Sequence, residues 1–194
     1  PPGAGPRAGE SATILPMPPS GRSPSHAVTA TPDSTRPLVS IVIPTYNERG
    51  RLGDLVATLA DTFVRQGIRG ELVVVDDNSP DGTGALADDL ATRYPVRVVH
   101  RAGKLGLGTA VIEGFAAAGA EVCGVMDADL SHPVDLLPRM LGAILSGEAD
   151  FVIGSRYIPG GGTRNWPLSR LIMSRAACLM ARPVTPVRDA TSGF

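Results

Sequence analysis

Apolar runs alternate with amphipathic stretches along the chain from residue 38 onward. Stretches such as residues 51–67 repeat apolar side chains at the three- and four-residue spacing of one helical face. Strands that are apolar throughout and alternate with helices are typical of a parallel sheet covered on both faces. The pattern therefore predicts an α/β fold, a single domain with a mostly parallel sheet flanked by helices. The predicted strands are 38–44, 71–77, 96–100, 121–129 and 150–157.

Residues 1–37 have a different composition from the rest of the chain. They hold nine of the 18 prolines and no aromatic residue. Such a segment buries too little apolar area to offset its chain entropy, so we expect a disordered tail. The predicted domain is therefore residues 38–194. Pro44 is expected to end the first strand, because proline cannot donate a hydrogen bond to a neighbouring strand.

Composition and charge exclude several classes of function. A hydrophobic content of 43% fits a globular protein, and a net charge of -1 gives no reason to expect a nucleic-acid partner. Cys123 and Cys178 lie in apolar stretches without the spacing of a zinc site. We interpret them as buried thiols in a reducing compartment.

Acidic residues follow two of the predicted strands. Asp76 and Asp77 end one strand, and Asp127 and Asp129 end another. Ligands of parallel sheets bind outside the carboxyl ends of the strands, so these side chains are expected to line one crevice. Two carboxylates separated by one residue can bind Mg²⁺ or Mn²⁺ together. The alternative is an ordinary turn, because aspartate and serine are common in turns.

A glycine-rich segment, residues 101–108, lies between the two acidic strand ends. It lacks the third glycine of the dinucleotide-binding motif and the spacing of a P-loop, so NAD binding and ATP hydrolysis are not indicated. Arg101, Lys104 and the flexible Gly106 could steady a diphosphate, or the segment could be a mobile connection.

Arginine is the only charged residue type between Arg156 and Arg188. The stretch holds six arginines, and arginine is well suited to bidentate phosphate recognition. Arg170 and Ser174 are four residues apart on a predicted helix, so they share a face and could bind one anion. The helix itself is either an ordinary core-facing helix or one that contacts a membrane surface.

Seven motifs occur in one order along residues 38–194, and together they resemble the inverting family 2 glycosyltransferases. Within that family they are most similar to the dolichol-phosphate and polyprenol-phosphate mannosyltransferases. The resemblance implies a GT-A (Rossmann-like) fold, a GDP-mannose donor, a polyprenyl phosphate acceptor and a divalent cation, Mg²⁺ or Mn²⁺. The motifs are VSIVIPTYNE, VVVDDNSPDGT, GKLGLGTA, MDADLSHP, GSRYIPGG, a tryptophan followed by an arginine and a serine, and DATSGF.

The resemblance also implies a role for individual residues. Asp127 and Asp129 would hold the metal, although some members have glutamine as a further metal contact where this chain has Ser131. Nucleotide contacts are implied for Pro44, Tyr46, Glu48 and Asp76, and acceptor-phosphate contacts for Arg156, Arg170 and Ser174. We expect catalysis to depend on Asp127, Asp129, Arg156 and Arg170. The donor site is expected to include, in addition, Asp77, Lys104, Gly106 and the central residue of the DAD motif, Ala128.

Three alternatives stay open on the sequence. A related enzyme could pass glucose from UDP-glucose to the same type of lipid, or the chain could be a non-catalytic nucleotide-sugar-binding fragment. A nucleotidyltransferase would need a basic glycine loop after the first strand, where this chain has PTYNERG. Relatives continue beyond DATSGF, so we expect a truncated C-terminal end. Asp189, which opens that motif, is left without a role. We expect a cytoplasmic location, peripheral at the membrane surface or bound to a separate membrane subunit.

Overall fold

The computed structural model describes residues 36–155 and 168–181. These residues fall into two compact units, 36–138 in one and 139–155 with 168–181 in the other. The predicted tail lies outside the described residues except for its last two positions. Arg156 and Asp189 also lie outside them, and the predicted domain boundaries stay predictions.

Four parallel strands form the sheet of the first unit: β1 (Val39–Thr45), β2 (Gly70–Asp76), β3 (Val96–His100) and β4 (Val122–Val125). The central strands β1 and β2 are almost fully buried, as their apolar sequences predict. The predicted α/β class with a parallel sheet is confirmed. Their order across the sheet is β3-β2-β1-β4.

Helices connect consecutive strands, as a parallel sheet requires. The first helix ends at Gln66 and is capped by Gly67, whose left-handed φ of 63° allows the N–H groups of Gly67 and Ile68 to bond back to the last turn. A short 3₁₀ turn, Val134–Leu136, precedes the fourth helix. The helices are α1 (Arg49–Gln66), α2 (Thr83–Ala91), α3 (Leu107–Ala117), α4 (Leu137–Leu145) and α5 (Leu168–Ala181).

Helix α3 packs closely against the centre of the sheet. Ala110 contacts a buried cluster that contains Val42, Val73 and Val75. One turn later, Gly114 lies so near the sheet that a methyl group there would overlap Val42. Small residues on this face thus allow the helix backbone to approach the two central strands, and the start of α3 is thereby fixed near their carboxyl ends.

Pro44 does not end the first strand, which continues to Thr45. The carbonyl of Thr45 accepts a hydrogen bond from the Asp77 amide on the β2 side, and that of Val42 accepts from Met126 on the β4 side. Since alternate residues of a strand face opposite neighbours, the Pro44 nitrogen also faces the β4 side. Strand β4 ends at Val125, before the position opposite Pro44, so the missing N–H interrupts no regular strand pairing.

Two further expectations are corrected by the structure. Cys178 is buried as predicted, but Cys123 is exposed, because β4 is an outer strand of the sheet within the described residues. Residues 151–155 form only an isolated bridge at Ile153 in place of the start of a fifth strand. A strand needs a continuous partner, and this segment pairs at a single position. The rest of that predicted strand lies outside the described residues.

Candidate functional site

The loops that follow β1 and β2 are joined by hydrogen bonds at the carboxyl edge of the sheet. The Asn47 amide donates to the Ser79 hydroxyl (3.0 Å), and the Glu48 amide donates to the Thr83 hydroxyl (3.0 Å). Loop residues predicted from two different motifs are therefore held side by side. The turn-forming residues Ser79 and Thr83 provide this link, and the sequence shows them only as turn chemistry.

Asp76 is buried at the end of β2 and its carboxylate organises the loop that follows. One oxygen accepts from the Ser79 hydroxyl (2.5 Å) and from the Thr45 hydroxyl (3.4 Å), and the other accepts from the Ser79 amide (3.1 Å). A buried carboxylate requires such donors. Gly84 at the start of α2 leaves room for it, since a methyl group there would lie 2.8 Å from the Asp76 carboxylate.

Asp81 ties the start of α2 to the start of α1. Its Oδ1 accepts from the Thr83 amide (3.0 Å) and hydroxyl (2.6 Å), and its Oδ2 accepts from the Arg49 amide (3.2 Å). The hydrogen bond from the Thr83 hydroxyl lowers the pKa of the Asp81 carboxyl, and the backbone hydrogen bonds add to that effect against a smaller opposing effect of burial. The ionised carboxylate is thus the form that holds the two helix starts together.

The DAD motif forms a tight loop directly after β4. Asp127 is half exposed, and Leu130 has a left-handed φ of 61°. Asp129 accepts a hydrogen bond from the Ser131 amide (2.9 Å). Its partial burial raises the pKa of the Asp129 carboxyl, but hydrogen bonds from Ser131 and the electrostatic influence of His132 and Arg51 together outweigh that effect and lower the pKa. Ser131 therefore supports the Asp129 carboxylate.

His132 contacts Asp127 through both ring nitrogens. Its Nδ1 lies 3.4 Å from the Asp127 amide and accepts that hydrogen bond, and its Nε2 lies 3.8 Å from the carboxylate. Within the described residues there is no group of three or more His, Cys, Asp or Glu side chains that could enclose a metal. Two carboxylates do suit a cation that takes its remaining ligands from water and substrate phosphates.

Arg101 does not face a ligand, in contrast to the expectation that it steadies a diphosphate. Its side chain is 1% exposed. The guanidinium donates to Asp77 (2.5 Å), Glu113 (3.1 Å) and the hydroxyl of Thr109 (2.6 Å). Asp77 and Glu113 lie 24 and 12 residues away from Arg101 along the chain, so no local sequence pattern indicates this buried ion pair.

Lys104, by contrast, is exposed and lies over the ring of Tyr46. Its Nζ is 4.1 Å from the ring centroid, which is a cation–π contact. Tyr46 itself is 37% exposed and follows β1 directly. Glu48, the third predicted residue of that loop, lies 3.4 Å from Arg51. The structure thus places an aromatic face and a primary amine together at the rim of the acidic strand ends.

The predicted acceptor residues lie in the second unit or outside the described residues. Arg170 and Ser174 both belong to α5, four residues apart as predicted, and Ser174 is half-buried. Across the described ranges, every helix is too short or too polar to span a bilayer.

Comparison with known sequences identifies the family. The sequence pattern of glycosyl transferase family 2 matches residues 40–190. The chain belongs to this family. The family expected from the sequence motifs is confirmed.

Two curated relatives and one solved structure extend this result. A dolichol-phosphate mannosyltransferase of Pyrococcus furiosus is 44% identical over 80% of this chain and 45% of its own length. A polyprenol monophosphomannose synthase of Mycolicibacterium smegmatis is 45% identical over 79% of this chain and 59% of its own. The chain therefore spans about half the length of these relatives. Residues 1–349 of S. aureus TarS match 58% of this chain and 34% of theirs with a TM-score of 0.51 at 24% identity, which supports the GT-A fold.

Proposed function

We propose that this chain is the catalytic part of a polyprenyl-phosphate mannosyltransferase, which transfers mannose from GDP-mannose to a polyprenyl monophosphate with inversion. The observation that carries the proposal is the joint placement of the β1, β2 and DAD loops at one edge of the sheet. The relatives' names support mannose and a polyprenyl phosphate as the transferred sugar and its acceptor.

The donor is proposed to lie along the carboxyl edge of the sheet. The exposed face of Tyr46 suits stacking against a nucleobase, and Lys104 above it suits a diphosphate. Pro44, Glu48 and Asp76 lie on the same strand ends, where hydrogen-bond acceptors would select a ribose or a base. Gly106 has a φ of 100°, which glycine adopts without steric cost, and the space where a side chain would stand is open.

Asp127 and Asp129, on either side of Ala128, are the residues that would hold Mg²⁺ or Mn²⁺. When bound, the cation would neutralise charge on the nucleoside diphosphate that leaves. Hydrogen bonds and positive charge already lower the pKa of Asp129, so its carboxylate is ionised at neutral pH and ready to bind a cation. His132 holds the backbone of the same loop in place.

The transfer step requires little acid–base chemistry from the protein. An oxygen of the acceptor phosphate forms a bond to the anomeric carbon, while the bond from that carbon to the GDP oxygen breaks and its electron pair leaves with GDP. Attack from the opposite face inverts the configuration. A phosphate monoester has its second pKa at about 6, so it is already nucleophilic at neutral pH. Arg156, Arg170 and Ser174 are proposed to orient it.

The metal assignment is tested by changing Asp129→Ala. We expect metal-dependent mannosyl transfer to be lost, while Asp61→Asn, an exposed carboxylate paired with Arg65 on α1, should leave transfer unchanged. Near-normal turnover of the Asp129 variant would contradict the assignment.

Calorimetric titration with GDP-mannose and UDP-glucose, each with and without Mn²⁺, tests the identity of the donor in the wild-type chain. A preference for UDP-glucose would favour the related glucosyl enzyme, and binding without transfer would favour a non-catalytic module.

The acceptor assignment predicts that Arg170→Lys weakens the acceptor far more than the donor, because lysine loses the bidentate geometry of arginine. Equal losses for both substrates would contradict it.

We also propose a peripheral position at the cytoplasmic membrane face. Co-sedimentation with vesicles that contain a polyprenyl phosphate, compared with vesicles that lack it, would test this position.

A further inference from the structure

We propose that Arg101 and Asp77 form a positioning pair that fixes the glycine-rich loop, the part of the glycine-rich segment before α3 (residues 101–106), in the geometry that binds the donor. Neither side chain needs to touch the donor in this proposal. It rests on the proposed function for the identity of the donor only, since the anchoring of the loop is visible in the chain itself.

Arg101 is buried, and almost all of its guanidinium N–H groups are used in hydrogen bonds. Four of its five N–H groups donate, to Asp77, Glu113, the Thr109 hydroxyl and the Gly106 carbonyl. The Asp77 side chain is 8% exposed, whereas Glu113 is 47% exposed. An ion pair this deeply buried is strongly disrupted when one partner is removed, because the other charge is left uncompensated.

Asp77 also forms a hydrogen bond with the backbone of the loop. One carboxylate oxygen accepts from Arg101 and the other from the Leu105 amide (3.1 Å). Asp77 thereby joins the end of β2 to the backbone on one side of Lys104. Lys104 is the residue that lies over Tyr46. The position of its amine in the donor site thus depends on the pair, although the pair itself lies beneath the loop.

The chain has a single lysine, and because it lies in this loop, opening of the loop can be measured by proteolysis. Lys104 is the only lysine in the 194 residues, so a lysine-specific endoprotease has one cleavage site, the Lys104–Leu105 bond. The amide of that bond is the group that donates to Asp77. Cleavage requires local opening of the loop, so its rate reports whether the loop is held.

The first experiment measures this cleavage in the full chain. Arg101→Gln and Asp77→Asn should each be cut about 10- to 100-fold faster than wild type, the range expected when a charge-assisted hydrogen bond is lost. The matched control is Arg93→Gln, which loses an exposed ion pair with Asp89 (2.6 Å) and should be cut at the wild-type rate. Equal cleavage of Arg101→Gln and wild type would overturn the proposal.

The second experiment measures donor affinity of the same proteins by calorimetry with GDP-mannose and Mn²⁺, and with UDP-glucose. Each single variant should bind the preferred donor about 10- to 100-fold more weakly, the cost of a small displacement in a binding site. The Asp77→Asn/Arg101→Gln double variant should bind no more weakly than the weaker single variant, because both changes release the same loop. Fully additive losses, or a loose loop with unchanged donor affinity, would overturn the proposal.

Two milder variants cover the case in which removal of Arg101 prevents folding. Thr109→Val and Glu113→Gln each remove one partner and should give smaller increases in cleavage and smaller losses of affinity. The two proposals also fail separately. A wild-type chain that binds neither sugar nucleotide would overturn the proposed function, while the cleavage rates would still support or overturn the anchoring of the loop by Arg101.

Discussion

The close approach of α3 to the sheet predicts opposite effects for the same substitution at two helical glycines. At Gly114, an alanine methyl would overlap Val42 Cγ1 and lie 3.0 Å from Val42 Cγ2 and 3.1 Å from Val75 Cγ2. Both valines are fully buried, and their branched side chains have few alternative rotamers. At Gly53 in α1, the added methyl would have no atom within 4 Å.

Both substitutions gain stability from the higher helix propensity of alanine, but only Gly114→Ala also loses stability through overpacking of the core. Alanine gains about 1 kcal/mol over glycine in a helix interior. Overpacking of a filled core costs about 1–3 kcal/mol. The overlap with Val42 places Gly114→Ala toward the upper end of that cost, so the net loss in the free energy of unfolding should be about 1–2 kcal/mol. Gly53→Ala should instead gain about 0.5–1 kcal/mol.

Thermal unfolding followed by circular dichroism at 222 nm measures both variants. For a chain of this size, 1 kcal/mol corresponds to about 2–4 °C in Tm. We therefore expect Gly114→Ala to lower Tm by about 2–8 °C and Gly53→Ala to raise it by about 1–4 °C. A Gly114→Ala protein as stable as wild type would mean that α3 does not press on β1 as closely as described.

Three other predictions test the site loops and the outer strand. Gly84→Ala should weaken donor binding in calorimetry, because its methyl group displaces the Asp76 carboxylate; unchanged affinity would remove Asp76 from the donor site. Hydrogen bonding from Thr83 lowers the pKa of Asp81, so Asp81→Asn should lower the urea midpoint at pH 7. That difference should narrow as the pH falls through the ordinary value of 3.8 toward the lowered folded-state pKa, and a difference that is constant down to pH 2 would contradict it. Cys123 is exposed and should react with a maleimide before the buried second cysteine; equal labelling of both thiols would refute this. Its rate should rise up to and beyond pH 9, because partial burial of the sulfur and the charge of Glu71 raise the thiol pKa above its ordinary value of 9.0.

Local pattern was sufficient to predict the elements that position the site. Apolar runs located the four strands, and the acidic residues after β2 and β4 were placed at the correct edge by the general rule for parallel sheets. Pro44 was misjudged because its cost depends on where β4 ends, a property of another strand. The exposure of Cys123 was missed for the same reason, since it follows from the strand order and not from the strand's own sequence.

The roles of Arg101 and His132 depend on contacts that no local pattern contains. Arg101 meets Asp77 across 24 residues and Glu113 across 12. Taken alone, neither partner suggests a buried ion pair, since Asp77 is an acidic residue after a strand and Glu113 an acidic residue on a helix. His132 lies five residues from Asp127, and only the reversal of the chain at Leu130 brings its ring back to that backbone. Side chains that hold other side chains are therefore the part of a site that sequence reasoning finds last.

The solitary Lys104 also has a practical consequence for how the protein is handled. Common coupling chemistries attach proteins to sensor chips, beads or fluorophores through lysine amines. This chain has one lysine side chain that such a reagent can modify. That side chain, Lys104, lies over the ring of Tyr46 at the rim of the proposed donor site. Amine coupling through it would orient every molecule in the same way and cover that rim. Attachment through the exposed thiol of Cys123 on the outer strand would leave Lys104 unmodified.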